Sequence, residues 1–388
     1  MSMKRFFVCL ILLALTASLP SCAGEKGERV EMYLLNVGKG DAIILMTEGK
    51  VYLIDAAKPE RWGVLQSAFR ELGISRLDGV LITHADGDHV GGLDPLARSD
   101  IEVGAWYASG YCVEYKKEEK HPAVRAAGLR GQAVTWLYAG DSAEGVFQAL
   151  APAVRMEDKE DNNSLVMTVS SAAGRVLLTG DMEYPEEAEL LSRVKSLKCA
   201  VLKVANHGDD DTLSAEMLAS AAPEIALIST DPYEKPGTPD EALLARLYAV
   251  GAEVFRTDMS EMGVHVILDE NGARAEYATW LHRPEALPAL TIARTDALND
   301  TVCVRNLSDS PLALGGCYLY SDRGDEIYVF PQDASLPAGA AVTVGTRSTD
   351  GAFDLLWDDK NVIHNSKTDT ITLFDPYGRA ISAAENGF

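Results

Sequence analysis

Residues 81–92 read Leu81-Ile82-Thr83-His84-Ala85-Asp86-Gly87-Asp88-His89-Val90-Gly91-Gly92 and carry the strongest signal in the sequence. An apolar run stops abruptly there at four potential metal ligands within six residues: His84, Asp86, Asp88 and His89. In a tight loop after a strand, this spacing can aim one pair of ligands at one cation and the other pair at a second. Imidazole nitrogens suit zinc and other transition metals, and carboxylates shift the preference toward harder ions such as manganese. The stretch therefore predicts a metal-binding strand end, whereas Asp-Gly-Asp without the histidines would indicate only a turn.

Two further apolar runs end in residues of the ligand type. Val176-Leu177-Leu178-Thr179-Gly180-Asp181 places a carboxylate after one run, and Val201-Leu202-Lys203-Val204-Ala205-Asn206-His207 places an imidazole after another. Taken alone, Asp181 would be an ordinary turn residue and His207 a surface or hydrogen-bonded histidine. Three strands that all end in ligands at one edge of a sheet form a far more specific pattern, and three of the seven histidines fall in it. We therefore expect Asp181 and His207 to join the 81–92 loop.

The composition is that of a globular protein. The chain has 388 residues, more than twice the ~150 typical of one domain, with 47% hydrophobic and 24% charged residues. These proportions exclude a mostly disordered, collagen-like or polytopic membrane protein. The 35 Lys+Arg against 58 Asp+Glu give a net charge of −23 at pH 7, which argues against binding polyanions by charge alone.

The chain is predicted to form two bodies joined by a linker. From residue 31 to residue 282 strands and helices alternate, as in a layered α/β domain. Residues 283–290, which include two prolines, are predicted to be the linker. From residue 291 to residue 388 the helical period disappears, and short β-rich runs recur between turn residues, as in an all-β sandwich.

The N-terminal segment has the features of an export signal. Lys4 and Arg5 form a positive region, and the apolar run of residues 6–19 is too short to cross a bilayer as a helix. Leu19-Pro20-Ser21-Cys22 then resembles a bacterial lipobox. We expect residues 1–21 to be a lipoprotein signal peptide, Cys22 to be lipidated, and residues 22–30 to tether an exported protein to the outer face of the bacterial cell membrane. The alternative is an ordinary cleavage site nearby, with Cys22 a free or paired thiol.

These motifs together resemble the metallo-β-lactamase superfamily, and specifically its branch related to the hydrolase domain of the competence protein ComEC. The shared motifs are a glycine-rich opening, the H-x-D-x-D-H-x-G-G loop, a shortened N-N-x-S-L segment, a T-G-D motif and a motif related to H-H-G. In this sequence they read Val37-Gly38-Lys39-Gly40-Asp41-Ala42, residues 84–92, Asn162-Asn163-Ser164-Leu165, Thr179-Gly180-Asp181 and Asn206-His207-Gly208. The resemblance covers residues 31–268 and implies an α/β fold, an αββα sandwich with a two-metal site along one edge of the sheets.

The resemblance also implies roles for individual residues. His84 and Asp86 would hold one metal ion, Asp88 and His89 the other, Asp181 would bridge both, and His207 would complete the second site. Two Zn²⁺ or Mn²⁺ ions are expected, and Asp88, Asp181 and His207 are expected to take part in catalysis. Two divalent ions roughly 3.5–4 Å apart can hold a bridging hydroxide that attacks phosphorus or a carbonyl carbon.

A further set of residues is expected to contact substrate or to support the ligands: Asp41, Asp55, Asn162, Asn163, Ser164 and Asn206. The two aspartates lie at strand ends and either orient ligand histidines or are simple turn residues. The 162–164 segment stands where other superfamily members supply a histidine, and Asn206 replaces the first histidine of the family's pair. Residues 209–211 form an acidic triplet at the expected mouth of the site, where it would repel a polyanion.

Residues 291–388 resemble a lamin tail domain, a small immunoglobulin-like sandwich. The resemblance rests on the order and spacing of short motifs, among them Arg305-Asn306-Leu307-Ser308 and Tyr328-Val329-Phe330-Pro331. It implies an accessory module beside exported bacterial hydrolases, without a catalytic cluster of its own. Export would permit a disulfide between Cys303 and Cys317, which the sequence leaves open.

Three functions are consistent with the sequence. The leading hypothesis is an exported, lipid-anchored binuclear metallohydrolase that cleaves phosphodiesters, with nucleic acid as one candidate substrate. The second keeps the metals but takes small phosphodiesters with headgroups of the choline-phosphate type, which the acidic charge favours. The third is a non-catalytic surface binding protein with a relic metal site, which Asn206 favours. The sequence identifies no soluble partner.

Overall fold

The computed structural model of the protein describes residues 29–171, 173–282, 287 and 289–387. The predicted signal peptide, Cys22, and most of the predicted tether and linker lie outside the described residues. Among the helices that are described, none combines the length and the apolarity needed to cross a bilayer. Both parts of the predicted fold class, the αββα sandwich and the small β sandwich, are confirmed.

The N-terminal body is built from strands and helices that alternate along the chain. Its strands are β1 (Val30–Leu35), β2 (Ile43–Thr47), β3 (Lys50–Ile54), β4 (Arg76–Leu77), β5 (Gly79–Ile82), β6 (Glu102–Val103), β7 (Trp106–Ser109), β8 (Val134–Leu137), β9 (Ser142–Ala143), β10 (Phe147–Ala151), β11 (Val166–Ser171), β12 (Gly174–Leu178), β13 (Val201–Lys203), β14 (Ile225–Ile228), β15 (Glu253–Arg256), β16 (Gly263–Asp269) and β17 (Gly272–Ala278). Its helices are α1 (Trp62–Glu71), α2 (Gly87–Val90), α3 (Leu93–Arg98), α4 (Pro122–Leu129), α5 (Tyr184–Arg193), α6 (Ala215–Ala221) and α7 (Glu241–Ala249).

In the described chain fifteen of these strands form two large sheets, and β4 and β6 pair with each other as a separate two-stranded sheet. Eight strands make the first sheet, in the order β17-β16-β1-β2-β3-β5-β7-β8, and seven make the second, in the order β15-β14-β13-β12-β11-β10-β9. Strands β3, β5, β7 and β8 run parallel to one another, as do β12, β13, β14 and β15. Each sheet therefore presents a group of parallel carboxyl ends, which is where α/β sheets place their ligands.

Three apolar cores hold the four layers together. Because successive residues of a strand point to opposite faces, Ile43 on β2 packs between the two sheets, whereas Ile44 packs under the helices of the first sheet. The second sheet repeats this division: Leu178 on β12 faces the core between the sheets, and Leu177 faces the core shared with α5, α6 and α7. Central strands are thus buried on both faces, which explains why they read as continuous apolar runs.

The C-terminal body is an all-β sandwich. Its strands are β18 (Leu290–Asp296), β19 (Thr301–Asn306), β20 (Leu312–Ala313), β21 (Tyr318–Ser321), β22 (Glu326–Val329), β23 (Ser335–Leu336), β24 (Ala341–Thr346), β25 (Leu355–Trp357), β26 (Thr370–Phe374) and β27 (Ala380–Glu385). The sheets β18-β19-β24-β25 and β22-β21-β26-β27 enclose one apolar core. Cys303 and Cys317 are free thiols in this structure.

Helix α1 joins the two bodies through buried polar contacts. The side chain of Gln66 donates to the carbonyl of Gly316 at 2.9 Å, and Ser67 Oγ donates to the carbonyl of Pro376 at 2.7 Å. Tyr318 is buried in the core of the N-terminal body and donates its hydroxyl to the carbonyl of Glu60 at 2.6 Å. The C-terminal body therefore lies directly against the N-terminal one.

Candidate metal centre

The predicted ligands follow strands of both sheets and meet at one edge of the sandwich. Strand β5 is followed by the loop and short helix α2 that carry residues 84–89, strand β12 by Asp181, and strand β13 by His207. The backbone N–H of Leu165 donates to the carbonyl of Thr83 at 2.8 Å and so ties the two sheets together beside this loop. The parallel carboxyl ends of the two sheets thereby face a common site.

Asp181 lies at the centre of this site. Its Oδ2 is 3.2 Å from Nε2 of His89 and 3.0 Å from Nε2 of His207. Nε2 of His207 is also 3.6 Å from Oδ2 of Asp88. His84, His89 and Asp181 offer ligand atoms that all lie within 4.8 Å of one another, as do Asp88, His89 and His207. Four of the other five predicted ligands therefore lie in one cluster with the carboxylate of Asp181.

The spacing of these atoms fits a metal ion. Two ligands at about 2.0–2.1 Å from a tetrahedral ion are about 3.3 Å apart, and the distances from Asp181 Oδ2 to the two imidazoles, 3.2 and 3.0 Å, are close to that value and slightly shorter. Among the described residues, Nε2 of His84, Nε2 of His207 and Oδ1 of Asp181 are buried without an acceptable hydrogen bond. Buried polar atoms left this way need another partner. A divalent cation supplies one.

The sixth predicted ligand, Asp86, lies in a neighbouring cluster with His84 and Asp161. Oδ1 of Asp161 is 3.7 Å from Nε2 of His84. Burial, with other carboxylates close by, raises the pKa of Asp86 and the pKa of Asp161 to about 6 each. Sequence reasoning missed Asp161, although it directly precedes the Asn162-Asn163 pair that marks the motif.

Opposite charges stabilise one another in this cluster. Burial alone would raise the pKa of Asp181, but His207, His89 and Lys203 hold that pKa well below its ordinary value. Burial alone would lower the pKa of His89, but the carboxylates of Asp181 and Asp55 raise it well above the ordinary histidine value. A bound dication would take over the role of the positive charge that these carboxylates favour on His89.

Asp55 orients one of the ligand histidines. Its Oδ2 lies 2.8 Å from Nδ1 of His89 and accepts the hydroxyl of Thr83 at 2.7 Å, while its Oδ1 accepts the Thr83 N–H at 2.8 Å. A carboxylate at Nδ1 fixes the ring so that Nε2 faces the site. From the sequence, Asp55 at the end of β3 was either a residue that orients a ligand histidine or a simple turn residue. Its contacts are those of an orienting residue.

Asp41 supports the other side of the site. Ser229 Oγ donates to Asp41 and lies 3.1 Å from Nδ1 of His207, and Oδ1 of Asp41 is 3.7 Å from the same nitrogen. Gly40, just before it, allows this approach, because a Cβ there would lie 2.7 Å from the carbonyl oxygen of Asp88. The glycine-rich turn therefore packs directly on the metal loop.

Lys203 is a buried cation that sequence reasoning missed. Its Nζ pairs with Asp41, lies 3.6 Å from Oδ1 of Asp181 and donates to the carbonyl of Gly180 at 3.2 Å. The residue is 1% exposed. Despite that burial, Asp41 and Asp181 raise the pKa of Lys203, so the ammonium group is retained. The signal in the sequence that could have revealed it was a lysine at the end of an otherwise apolar strand.

The 162–164 segment is fixed by its own hydrogen bonds. Asn162 donates to Glu183 Oε2 at 2.9 Å, and Asn163 donates to the backbone carbonyls of Met156 and Lys159 at 2.9 and 3.0 Å. Both asparagines are fully buried. Their side chains hold the loop in place, and this is a supporting role.

Ser164 and Asn206 also support the site. Ser164 Oγ accepts the N–H of Asp181 at 3.0 Å. Asn206 and His207 both have positive φ, 42° and 53°, a conformation that costs energy in residues other than glycine. The short turn of residues 205–208 therefore holds His207 in a strained backbone that aims its ring at Asp181.

The acidic triplet at the mouth is partly neutralised. Asp209 pairs with Lys235, and Oδ2 of Asp211 lies 3.6 Å from Nζ of Lys159. Lys39 also reaches the site, with its Nζ 2.9 Å from Oδ2 of Asp88. The repulsion of anions expected from the sequence is therefore weaker than residues 209–211 alone suggest.

A cleft of about 1470 Å³ lies between the two bodies and borders the metal loop at Gly87 and Asp88. The N-terminal body lines it with both cationic and acidic side chains. Among the described residues, the C-terminal body lines the cleft with acidic and aromatic side chains and with no basic ones. The acidic and aromatic residues of this wall are Tyr320, Asp325, Glu326, Tyr328, Phe330, Asp333, Trp357, Asp358 and Asp359. The two walls therefore differ in charge.

Comparison with known proteins gives the following matches. A family model for the metallo-beta-lactamase superfamily matches residues 35–231, and one for the Lamin Tail Domain matches residues 284–387. ComE operon protein 3 of Bacillus subtilis (strain 168) is 28% identical over 261 residues, 62% of this chain and 33% of that protein. Competence protein ComA of Neisseria gonorrhoeae is 26% identical over 259 residues, 66% of this chain and 35% of that protein. The chain thus spans about a third of the length of these curated relatives. The crystal structure of the metallo-beta-lactamase fold protein YhfI from Bacillus subtilis is 14% identical with a TM-score of 0.41, covering 59% of this chain and 96% of that one.

Proposed function

Because this chain belongs to the metallo-beta-lactamase superfamily and is a hydrolase related to competence proteins, we propose that it is a phosphodiesterase that works with two divalent metal ions. The observation that carries the proposal is the convergence of three buried histidines and two aspartates around one edge of the sandwich. The ligand atoms of His84, His89 and Asp181 lie within 4.8 Å of one another, as do those of Asp88, His89 and His207.

The residues present fit two ions that share a ligand. His84 and Asp86 would hold the first ion, Asp88, His89 and His207 the second, and Asp181 would bridge them. Bound divalent ions would lower the pKa of a coordinated water and polarise a phosphoryl oxygen. The Zn²⁺ or Mn²⁺ predicted from the sequence are both compatible with this mixture of imidazole and carboxylate donors.

The remaining residues prepare the site for a phosphodiester. Asp55 orients His89, and Ser229 and Asp41 orient His207, so the Nε2 atoms are held in place before substrate arrives. Lys39, next to Asp88 at the mouth, supplies a cation that suits the charge of a phosphodiester. We propose that the reaction uses no cofactor other than the two metal ions.

Replacement of the bridging carboxylate tests the proposal. The protein loaded with Zn²⁺ or Mn²⁺ should hydrolyse bis(p-nitrophenyl) phosphate, and Asp181→Asn should lower the rate by about 100-fold or more. Asp309→Asn, at an exposed position of the C-terminal body, is the matched control and should keep the wild-type rate. An Asp181→Asn protein with unchanged circular dichroism and unchanged turnover would overturn the proposal. Metal-loaded protein without turnover on any ester would favour the non-catalytic alternative.

We also propose that the protein is exported and held at the membrane by a lipid on Cys22. The support is the lipobox-like sequence Leu19-Pro20-Ser21-Cys22. Wild-type protein expressed in bacteria should incorporate an alkyne-labelled fatty acid and partition into detergent, whereas Cys22→Ser should do neither. Cys112→Ser is the control and should behave like wild type. Equal labelling of Cys22→Ser and wild type would contradict lipidation at this residue.

A second candidate substrate class follows from the cleft between the bodies. Its C-terminal wall combines acidic and aromatic side chains, a surface that suits a cationic or quaternary ammonium headgroup. A choline-phosphate ester would then be preferred over a polyanion. Rates on p-nitrophenylphosphorylcholine and on single-stranded DNA, compared at equal ionic strength, separate the two substrates. Nucleic acid is the leading candidate if the DNA is cleaved faster.

A further inference from the structure

Asp161 lies beside His84 and Asp86, the two residues predicted to hold the first metal ion. It is the first residue of a short 3₁₀ turn, residues 161–163, that precedes β11. Its Oδ1 is 3.7 Å from Nε2 of His84, and ligand atoms of His84, Asp86 and Asp161 all lie within 4.8 Å of one another. Nothing in the sequence motifs assigns this residue a role.

The first metal position otherwise has fewer protein ligands than the second. The second is surrounded by His89, His207 and Asp88, whereas the first has His84 and Asp86, with Asp181 shared. His84 is fully buried, and its Nε2 has no acceptable hydrogen bond among the described residues although it faces the carboxylate of Asp161. Without Asp161 the first position therefore has one protein donor fewer than the second.

The loop that carries Asp161 is rigid enough to present it. The next residues, Asn162 and Asn163, are fully buried and use their side chains on Glu183 and on backbone carbonyls. Asp161 itself keeps a side chain that is 21% exposed and turned toward His84. The buried asparagines thus position the loop, and the aspartate is left available to a cation.

Resting on the proposed two-metal function, we propose that Asp161 is a ligand of the first metal ion and that the two positions therefore prefer different metals. The first position then has one imidazole and three carboxylates, from His84, Asp86, Asp161 and the shared Asp181. The second has two imidazoles and two carboxylates. Carboxylate-rich sites favour harder ions such as Mn²⁺, and imidazole-rich sites favour Zn²⁺.

The negative charges of the proposed ligands also balance the positive charges of the two metal ions. Asp86, Asp88, Asp161 and Asp181 contribute four negative charges, which equal the charge of two dications. Zn²⁺ binds most nitrogen and oxygen sites more tightly than Mn²⁺. Both positions are therefore expected to bind Zn²⁺ more tightly than Mn²⁺, and they should differ in the ratio of the two affinities. The preference for Zn²⁺ over Mn²⁺ should be at least about tenfold smaller at the first position than at the second.

Metal binding tests this without any turnover measurement. Full-length protein stripped with chelator is titrated with Mn²⁺, followed by electron paramagnetic resonance, and then with competing Zn²⁺. Wild type should bind two equivalents, one of which releases Mn²⁺ only at a clearly higher Zn²⁺ concentration. Asp161→Asn should weaken the Mn²⁺-favouring equivalent by about tenfold or more. Asp161→His should move that equivalent toward Zn²⁺. Asp158→Asn, at an exposed position three residues earlier, is the control and should match wild type.

The outcomes separate the two proposals. Two equivalents with identical Mn²⁺ to Zn²⁺ ratios in wild type would overturn the inference, and that measurement depends on no variant. Unchanged Mn²⁺ binding in a folded Asp161→Asn protein would overturn it as well. Wild-type protein that binds two metals with distinct preferences but cleaves no phosphodiester would leave Asp161 as a ligand and refute the proposed function instead.

Discussion

Replacing Lys203 by methionine should destabilise the metal-free protein strongly. Lys203 is 1% exposed, pairs with Asp41 and lies 3.6 Å from Oδ1 of Asp181. Methionine fills similar space but removes the charge, which leaves the buried carboxylate of Asp41 without its ammonium partner. Removing one partner of a buried ion pair typically costs about 3–5 kcal/mol. At roughly 2–4 °C per kcal/mol for a body of this size, the melting temperature should fall by about 6–20 °C.

The double variant identifies the cause. In Lys203→Met with Asp41→Asn the unpaired charge is gone, so about 2–3 kcal/mol of the loss should return. Urea unfolding of chelator-treated protein, followed by tryptophan fluorescence, measures both values. Lys198→Met, an exposed lysine that precedes the same strand, should lie within about 0.5 kcal/mol of wild type. A single variant that loses less than about 1 kcal/mol, or a double variant in which the two losses simply add, would refute the argument.

Three other perturbations test separate parts of the structure. Asp55→Asn should weaken metal binding about 10–100-fold by isothermal titration, because the carboxylate that orients His89 is lost; unchanged affinity would contradict that role. Burial, together with nearby carboxylates, raises the pKa of Glu326 from 4.5 to about 7. The free energy of unfolding should therefore fall as pH rises between these values. The fall should be up to about 3 kcal/mol before solvent screening and about 1–2 kcal/mol after it. Glu326→Gln should flatten this fall in urea titrations at pH 5 and pH 8; an equally steep fall in the variant would exclude Glu326 as its source. Gly40→Ala places a Cβ 2.7 Å from the carbonyl oxygen of Asp88 and should cost about 1–3 kcal/mol in thermal melts, unlike Gly128→Ala in α4, where a Cβ would meet nothing within 4 Å, so equal melting temperatures would contradict the close approach.

The layered fold and the metal loop could be predicted because both leave local signals. A strand buried on two faces reads as a continuous apolar run, and a polar residue directly after it lies at the edge of the sheet. Asp181 and His207 were found in this way. The prediction needed no knowledge of which strand neighbours which, because parallel carboxyl ends collect at one edge whatever the order.

Asp161 and Lys203 were missed because their local surroundings suggest ordinary roles. Asp161 follows Glu157, Asp158 and Glu160, so it reads as one of a solvated acidic run. Lys203 ends a three-residue strand and reads as the residue that emerges into water. In both cases the partner that changes the interpretation is distant along the chain: His84 for the aspartate, Asp41 for the lysine.

The start of α7 shows the same limit at short range. The sequence Thr238-Pro239-Asp240-Glu241 predicts Thr238 as the capping residue, but Asp240 caps the helix, with its Oδ1 accepting the N–H of Leu243 at 2.8 Å. Thr238 instead donates its hydroxyl to the carbonyl of Lys235 at 2.8 Å. Both residue types can cap a helix, and the preceding turn determines which one is free to do so.

Contacts between the two bodies lie furthest from what local patterns reveal. Gln66 and Ser67 are polar residues in the middle of α1, where the helical pattern alone would assign them to solvent. They are buried because carbonyls of Gly316 and Pro376, 250 and 309 residues further along, accept their hydrogen bonds. A buried polar side chain without such a partner would be costly, so these carbonyls are what allows the C-terminal body to cover this face of α1. The lamin tail domain is therefore part of the folded unit that forms the cleft beside Asp88, and its acidic and aromatic wall must be included in any account of which substrate reaches the metals.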